Sequence, residues 1–231
     1  MGHEMEQEMD IQIGEGYTNL DLRNKDFSGQ DLTDCTFSQC QFAGSIFRGA
    51  NLTNCQFDRC QFNNSDPDDP ASFAWANLRE AAFSQCDLNM VAFNHCQGYD
   101  LSFKDCQMQG ADLSLGDFKM PVGNLDLATL TMSDCNFSYG NLSNTFLVGC
   151  KLSNNRLTEC LLDFADLSDA DLSDSELFNV SARNCKLKGA DLRGASFNNL
   201  DLKSLDLEGV RLYYNQLSAL VITLQLDLEE E

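Results

Sequence analysis

Leucine or phenylalanine returns at every fifth position of this chain from Leu22 to Leu217, with two interruptions. The three runs are Leu22 to Phe62, Phe73 to Phe118 and Met132 to Leu217, and 35 of their 37 central positions hold Leu, Phe or Met. Gly98 and Ala182 are the exceptions. An amphipathic helix needs a hydrophobic period near 3.6 and a half-buried strand a period of 2, so a period of five fits neither. It marks a repeated backbone unit, a solenoid in which each unit buries its apolar side only by stacking on its neighbours. Around each centre the slots are also biased. The position before it is commonly Asp or Asn, as at Asp21, Asp31, Asn51, Asp112, Asp166 and Asp171, and those after it are mostly small or polar.

The interruptions and the end carry different patterns. Between Phe62 and Phe73 the segment Asn63, Asn64, Ser65, Asp66, Pro67, Asp68, Asp69, Pro70 holds two of the three prolines, and a projecting loop is expected near 63–72. Between Phe118 and Met132 a larger loop is expected near 119–131, built on Lys119, Met120, Pro121, Val122, Gly123, Asn124, Leu125, Asp126 and Leu127. It combines a basic residue with apolar candidates for exposure, and loops on rigid scaffolds often carry function. Past residue 212 the register dissolves, and Tyr213, Leu217, Leu220, Val221, Leu224 and Leu228 follow i, i+3, i+4, i+7 spacing. That spacing predicts a short amphipathic helix that caps the last coil. Its apolar positions, with Tyr214, exceed what a cap needs and point to homodimerisation through this end. The organisation read from the sequence is an N-terminal extension or cap over 1–17, the repeat over 18–212 and a dimerisation module with an acidic tail over 213–231.

Charge and cysteine content narrow the chemistry. With 36 acidic against 15 basic residues the formal charge is -21, which disfavours binding to nucleic acid and favours a basic protein surface. The opening MGHEMEQEMD is neither a secretory signal nor a transit peptide, and no apolar run reaches 18 residues, so a cytoplasmic protein is expected. All eleven cysteines fall two places before a centre, in the slot that elsewhere holds Ala50, Ala76, Ala111 or Ala165. They read as small buried core residues, not as a disulfide framework or a metal site, and no cofactor is implied. The acids Asp163, Asp166, Asp169, Asp171, Asp174 and Glu176, continued by Asp191, Asp201 and Asp206, read as a solvated acidic surface.

Stretches such as AGSIFRGANLTNC, GADLSLGDF and GADLRGASF give the consensus Ala/Cys, Asp/Asn, Leu/Phe, polar, polar or Gly. This resembles the pentapeptide-repeat family over about residues 18 to 217. The resemblance implies an all-β fold, a right-handed quadrilateral parallel β-helix with four repeats per coil, here with two projecting loops and a short C-terminal α-helix. About nine coils at ~4.8 Å make a rod of roughly 45 Å. If most of the charge lay along it, the axial density would be about one per 2 Å, near the ~1.7 Å of duplex DNA. The loop order, the strings CQFNN and GADLSLGDF before the two loops, and the ending YYNQLSALVI are similar to the Qnr quinolone-resistance type. That resemblance implies a dimeric, DNA-mimicking rod that binds DNA gyrase and topoisomerase IV and protects them from quinolones, the larger loop being the element most needed. The acidic first loop, with Asp66, Asp68 and Asp69, departs from other members.

Two other classes compete with this reading. An acyltransferase solenoid runs on six-residue repeats and uses histidine, whereas His95 is the only histidine in this rod. No nucleophile or phosphate-binding fingerprint occurs, so an enzyme is not expected. An immunity or regulatory protein guarding gyrase against a natural toxin, or a general acidic binding scaffold, would use the same charged rod.

Overall fold

A five-residue unit closes only if the backbone turns a corner in each one. In the computed structural model, which describes residues 11–64, 70–122, 125–198 and 205–218, the corner is made by the residue two places after each centre. Thirty-three of the described residues lie in the left-handed region; nearly all hold this slot, Gly29 and Gly49 among them, with Asn24, Asp34 and Asn54. Gln30 N–H donates to Phe27 O at 3.0 Å and Ala50 N–H to Phe47 O at 3.0 Å, closing turns around this residue as type II turns do. Gly, Asn and Asp tolerate the conformation, but Trp75, Met90, His95, Leu115, Tyr139 and Phe164 adopt it as well. For such residues it costs about 1–2 kcal/mol each.

Four corners make one coil, because Tyr17 pairs with Phe37 and Phe37 with Phe57 in parallel register, 20 residues apart. Across the first interruption Phe57 pairs with Phe83, and across the second Phe103 pairs with Met132. These steps of 26 and 29 show that the interruptions insert six and nine residues and leave the register intact. The result is a quadrilateral parallel β-helix. Its four faces are numbered here from the columns of centres beginning at Tyr17, Leu22, Phe27 and Leu32. Face 1 is a six-stranded parallel sheet of Gly16–Thr18, Thr36–Ser38, Gln56–Asp58, Ala82–Ser84, Ser102–Lys104 and Thr131–Ser133. The other faces are mostly single bridges, such as Asp31 with Asn51 and Asn51 with Asn77 on face 4. The rod begins one unit earlier than the Leu and Phe pattern, since Tyr17 stacks on Phe37 at 5.4 Å.

The centres fill the interior. On face 1 the rings of Phe37, Phe57, Phe83 and Phe103 stack in succession at 5.2, 4.7 and 5.3 Å, and rings of adjacent faces meet edge to face. Such pairs add about 0.5–1.5 kcal/mol each beyond burial. All eleven cysteines are free and buried. Burial pushes the thiols of Cys55, Cys96, Cys150, Cys160 and Cys185 up to about 12, so they are packing groups and poor nucleophiles. Gly98 also has a packing reason. A Cβ there would meet Phe118 at 2.8 Å and Leu101 at 3.0 Å, because the Phe118 ring of the next coil fills the place of the missing side chain.

The Asp or Asn before each centre is structural. Its side-chain oxygen accepts the backbone N–H two residues on, as Asp26 does from Ser28 at 2.9 Å, Asp31 from Thr33 at 3.1 Å and Asp171 from Ser173 at 3.0 Å. This local bond supports the turn that follows. It also holds carboxyls low. Asp21 is lowered to about 2 by hydrogen bonds from the Arg23 side chain and backbone, and Asp26 and Asp31 are lowered by Ser28 and Thr33.

Two expectations follow from the packing and from these carboxylates. Gly98→Leu should overpack the interior and lower unfolding free energy by about 1–3 kcal/mol in denaturant titration followed by circular dichroism. An unchanged midpoint would contradict the packing reason. Because folded carboxyls titrate below their unfolded value near 3.8, their stabilisation is complete above about pH 5 and is lost as pH falls toward 2. In 0.15 M salt, where surface repulsion is screened beyond roughly 8 Å, the melting temperature should fall steadily from pH 5 to pH 2.5. A flat or rising profile would mean that these bonds contribute nothing net.

Candidate interaction surfaces

The second interruption is not an irregular loop. Lys119–Val122 and Leu125–Ala128 form an antiparallel hairpin, with Lys119 opposite Ala128, Met120 opposite Leu127, Pro121 opposite Asp126 and Val122 opposite Leu125. Gly123 and Asn124, between the strands, lie outside the described residues. A Gly-Asn pair flanked by alternating apolar positions is a known two-residue hairpin signal, so the ribbon was legible where a loop was expected. The hairpin leaves the corner between faces 4 and 1. Its neck is closed by Thr129 N–H to Phe118 O at 3.4 Å and by Asp100 N–H to the Thr129 hydroxyl at 2.8 Å. Lys119 Nζ lies 5.5 Å from the centroid of Phe146, which replaces a polar residue on face 4 one coil later. This contact steadies the base of the ribbon. Met120 and Leu127 are exposed.

The first interruption leaves the diagonally opposite corner, between faces 2 and 3. Ala71 N–H donates to Phe62 O at 2.8 Å and closes its neck. Asn63, Asn64 and Pro70 are described, whereas Ser65, Asp66, Pro67, Asp68 and Asp69 lie outside the described residues.

With the register settled, charge can be assigned to faces. The segments before Glu15, from Asn63 to Pro70, from Met120 to Leu130 and after Leu217 hold twelve of the 36 acidic residues and no basic residue. The coils themselves therefore carry 24 acids and 15 bases, an excess of nine. Over a rod of roughly 45 Å that is about one charge per 5 Å, thinner than the density expected from the whole-chain charge. The excess is also uneven. Taking each face from two residues before its centre to two after, described residues of face 4 include nine acids and four bases, and those of face 3 three of each.

The acids anticipated as one surface spread around the rod. Asp163 is on face 3, Asp166, Asp169 and Asp206 on face 4, Asp171, Asp174 and Asp191 on face 1, and Glu176 on face 2, while Asp201 lies outside the described residues. Four of them are in ion pairs, Asp163 with Arg183, Asp166 with Lys186, Glu176 with Arg156, and Asp191 with both Arg193 and Arg211. Asp191 is buried, and the Arg193 guanidinium holds its carboxyl below the usual range. Asp169 and Asp174 are exposed corner residues without a basic partner among the described residues. A second acidic column, in corner slots that the linear pattern does not align, lies nearer the hairpin. Asp34, Glu80 and Asp100 occupy the face 4 to face 1 corner, with Asp31 and Asp117 beside them.

The C-terminal end is closed by a residue that the hydrophobic pattern passed over. Gln216 is buried, donates to Leu192 O and Ala195 O at 2.8 Å each, and accepts from Gly194 N–H at 3.1 Å and Tyr213 N–H at 2.7 Å. It thus satisfies backbone groups that the last coil would leave open. The expected helix starts here as a 3-10 turn, Tyr214–Gln216, and Leu220, Val221 and Leu224 lie outside the described residues. Leu217, counted as the last centre, is exposed instead, as are Tyr213 and Tyr214, the latter at 88%. Among the described residues the core therefore ends at Leu212, and these three side chains are exposed.

His95 stacks on Trp75 at 4.1 Å and is a surface residue. Among the described residues no group of three or more His, Cys, Asp or Glu is arranged to hold a metal ion, and no helix is long and apolar enough to cross a membrane.

Comparison with known proteins places this rod. The family model for pentapeptide repeats (8 copies) matches residues 18–49, 31–66 and 76–114, and that for the pentapeptide repeat region matches residues 127–207. The pentapeptide repeat protein QnrB4 of Escherichia coli is 30% identical over 135 residues, 58% of this chain and 60% of that protein. The quinolone resistance pentapeptide repeat protein QnrB96 of Scandinavium goeteborgense is 30% identical over 146 residues, 61% of this chain and 59% of that protein. The alignments thus span about three-fifths of the length of these relatives. Full-length QnrB1, a plasmid-mediated fluoroquinolone resistance protein, superposes with a TM-score of 0.83 at 27% identity, covering 90% of this chain and 99% of that one. With the repeat matched on both sides of each interruption and the rod shared with QnrB1, the chain belongs to the pentapeptide-repeat family and is a protein of the Qnr type.

Proposed function

We propose that this protein binds DNA gyrase and topoisomerase IV in the cytoplasm and protects them from quinolones, acting by binding and not by catalysis. The observation that most supports the reading is the superposition on full-length QnrB1 over 99% of that chain. The names of QnrB1 and QnrB96 tie both to resistance against this drug class.

The mechanism is one-sided DNA mimicry. Carboxylates of face 4 and its corner, Asp31, Asp34, Glu80, Asp100 and Asp117, meet the basic surface that normally holds DNA, while the mixed charges of faces 1 and 2 face away. Charge complementarity of this kind speeds encounter and fixes orientation more than it adds affinity. The hairpin rises from the same corner, so an acidic dock is joined to a ribbon presenting Met120 and Leu127. The ribbon reaches the enzyme beside the rod and helps to release the drug-trapped cleavage complex. The smaller loop, Asn63 to Pro70, makes a second contact from the opposite corner. Two rods join through Tyr213, Tyr214 and Leu217, with Leu220, Val221 and Leu224 completing the apolar set, to give a dimer of DNA-like length.

In a supercoiling assay with gyrase and ciprofloxacin, the protein should restore supercoiling at concentrations below those at which it inhibits the enzyme itself. No rescue anywhere in that range would sink the proposal. Lys119 and Ala128 are paired across the hairpin neck, so Met120 to Leu127 can be replaced by one glycine. That variant should lose rescue while its far-ultraviolet circular dichroism stays that of the rod. Protection equal to the parent would leave the hairpin without a role. Sedimentation velocity should give a dimer for the parent and a monomer for Leu217→Glu, and a monomeric parent would contradict the end-to-end contact.

A further inference from the structure

The exposed large hydrophobic side chains of the coils are not scattered. Among the described residues, setting aside the hairpin and the two ends of the chain, they are Ile46, Trp75, Met90, Leu115, Tyr139, Leu161 and Phe164. All lie on face 3 or on the two corners that bound it. Trp75, Leu115 and Phe164 belong to the corner between faces 3 and 4, together with His95, whose ring stacks on Trp75 at 4.1 Å and 11°. Trp75, His95 and Leu115 come from consecutive coils and Phe164 from two coils beyond Leu115, with Asn144 in the slot between, so the four side chains span about 20 Å.

Each of these residues occupies the left-handed slot. At the corners between faces 1 and 2 and between faces 4 and 1, the same slot holds polar residues or glycine, for example Asn19, Asp105 and Asn154, or Asp34, Asn54 and Asp169. Bulky apolar residues therefore stand in an unfavourable conformation where they also remain exposed. Neither local structure nor the core accounts for that choice, and strain of this kind collects at functional sites.

We propose that the corner between faces 3 and 4 is a protein-docking edge, along which Trp75, His95, Leu115 and Phe164 enter an apolar cleft beside the basic surface that receives face 4. The inference rests on the proposed topoisomerase reading and adds to it the residues that give the contact its specificity. Charge selects the occupant. The edge has the most acidic face on one side and a face without net charge on the other, so its partner is basic on one side and apolar on the other. A second copy of the chain fits less well, since closing two such edges together brings acidic face 4 toward itself, and like-charge juxtaposition is costly. Aromatic anchors within a polar rim are the usual hot spots of protein interfaces.

The test uses the full chain with Trp75→Asn, Leu115→Asn and Phe164→Asn combined. Asn suits the left-handed slot, so the variant should unfold at the same or a higher denaturant concentration than the parent. Binding to immobilised DNA gyrase should weaken at least tenfold. Trp75→Asn alone should weaken it severalfold and gives the same readout if the triple variant does not fold. Gyrase affinity equal to the parent's would overturn the docking edge while leaving the topoisomerase reading in place. A changed oligomeric state with unaltered gyrase affinity would assign the ridge to self-contact and overturn it too. If the parent shows no gyrase binding, the functional reading fails and the edge with it.

Discussion

The coils hang together through backbone N–H to C=O bonds between residues about 20 apart, and the uninterrupted corners that align them each keep one residue in the left-handed region. Leu22 N–H gives to Gln41 O at 2.8 Å and Gln41 N–H gives back to Leu20 O at 2.9 Å, and the pattern repeats up the rod. This ladder fixes each side chain to a column. Interruptions are tolerated only at corners, where Ala71 N–H to Phe62 O, or Thr129 N–H to Phe118 O, can close the neck and return the chain to register. Both insertions are therefore additions to a finished scaffold, with paired coils on either side.

The same ladder decides where charge can act. An Asp before a centre serves the turn first, as Asp26, Asp31 and Asp171 show by accepting backbone N–H groups. Further on, Asp166 and Asp191 meet Lys186 and Arg193. What remains for a partner is concentrated on face 4 and the hairpin corner. Among the described residues face 4 carries five of the coils' nine excess acids, and twelve further acidic residues belong to the chain ends and interruptions. The apolar ridge along the neighbouring corner gives that side a chemistry that DNA lacks.

The five-residue beat made the solenoid legible because the centres are core, and it explained the cysteines for the same reason. Phase was not legible, since the number of residues each interruption removes from the coil depends on where its neck closes; the pairings of Phe57 with Phe83 and Phe103 with Met132 supply it. Without phase, Asp163 to Glu176 looked like one surface. Gly98 was opaque because its cause, the Phe118 ring, lies 20 residues away in sequence and one coil away in space. Gln216 was hidden by the apolar pattern around it, yet it closes the last coil through the backbone of Leu192 and Ala195. The corner ridge is not legible in the sequence because Trp75, Leu115 and Phe164 fall in a slot that is otherwise filled by turn residues.

The claim on which the functional account turns is that the rod meets its target with one side. A cryo-electron microscopy reconstruction of the protein bound to DNA gyrase tests this most directly. The account predicts that face 4, with Asp31, Asp100 and Asp117, lies in the basic DNA-binding groove, that the hairpin contacts the enzyme beside it, and that faces 1 and 2 are open to solvent. A rod docked through faces 1 and 2, with face 4 exposed, would contradict it.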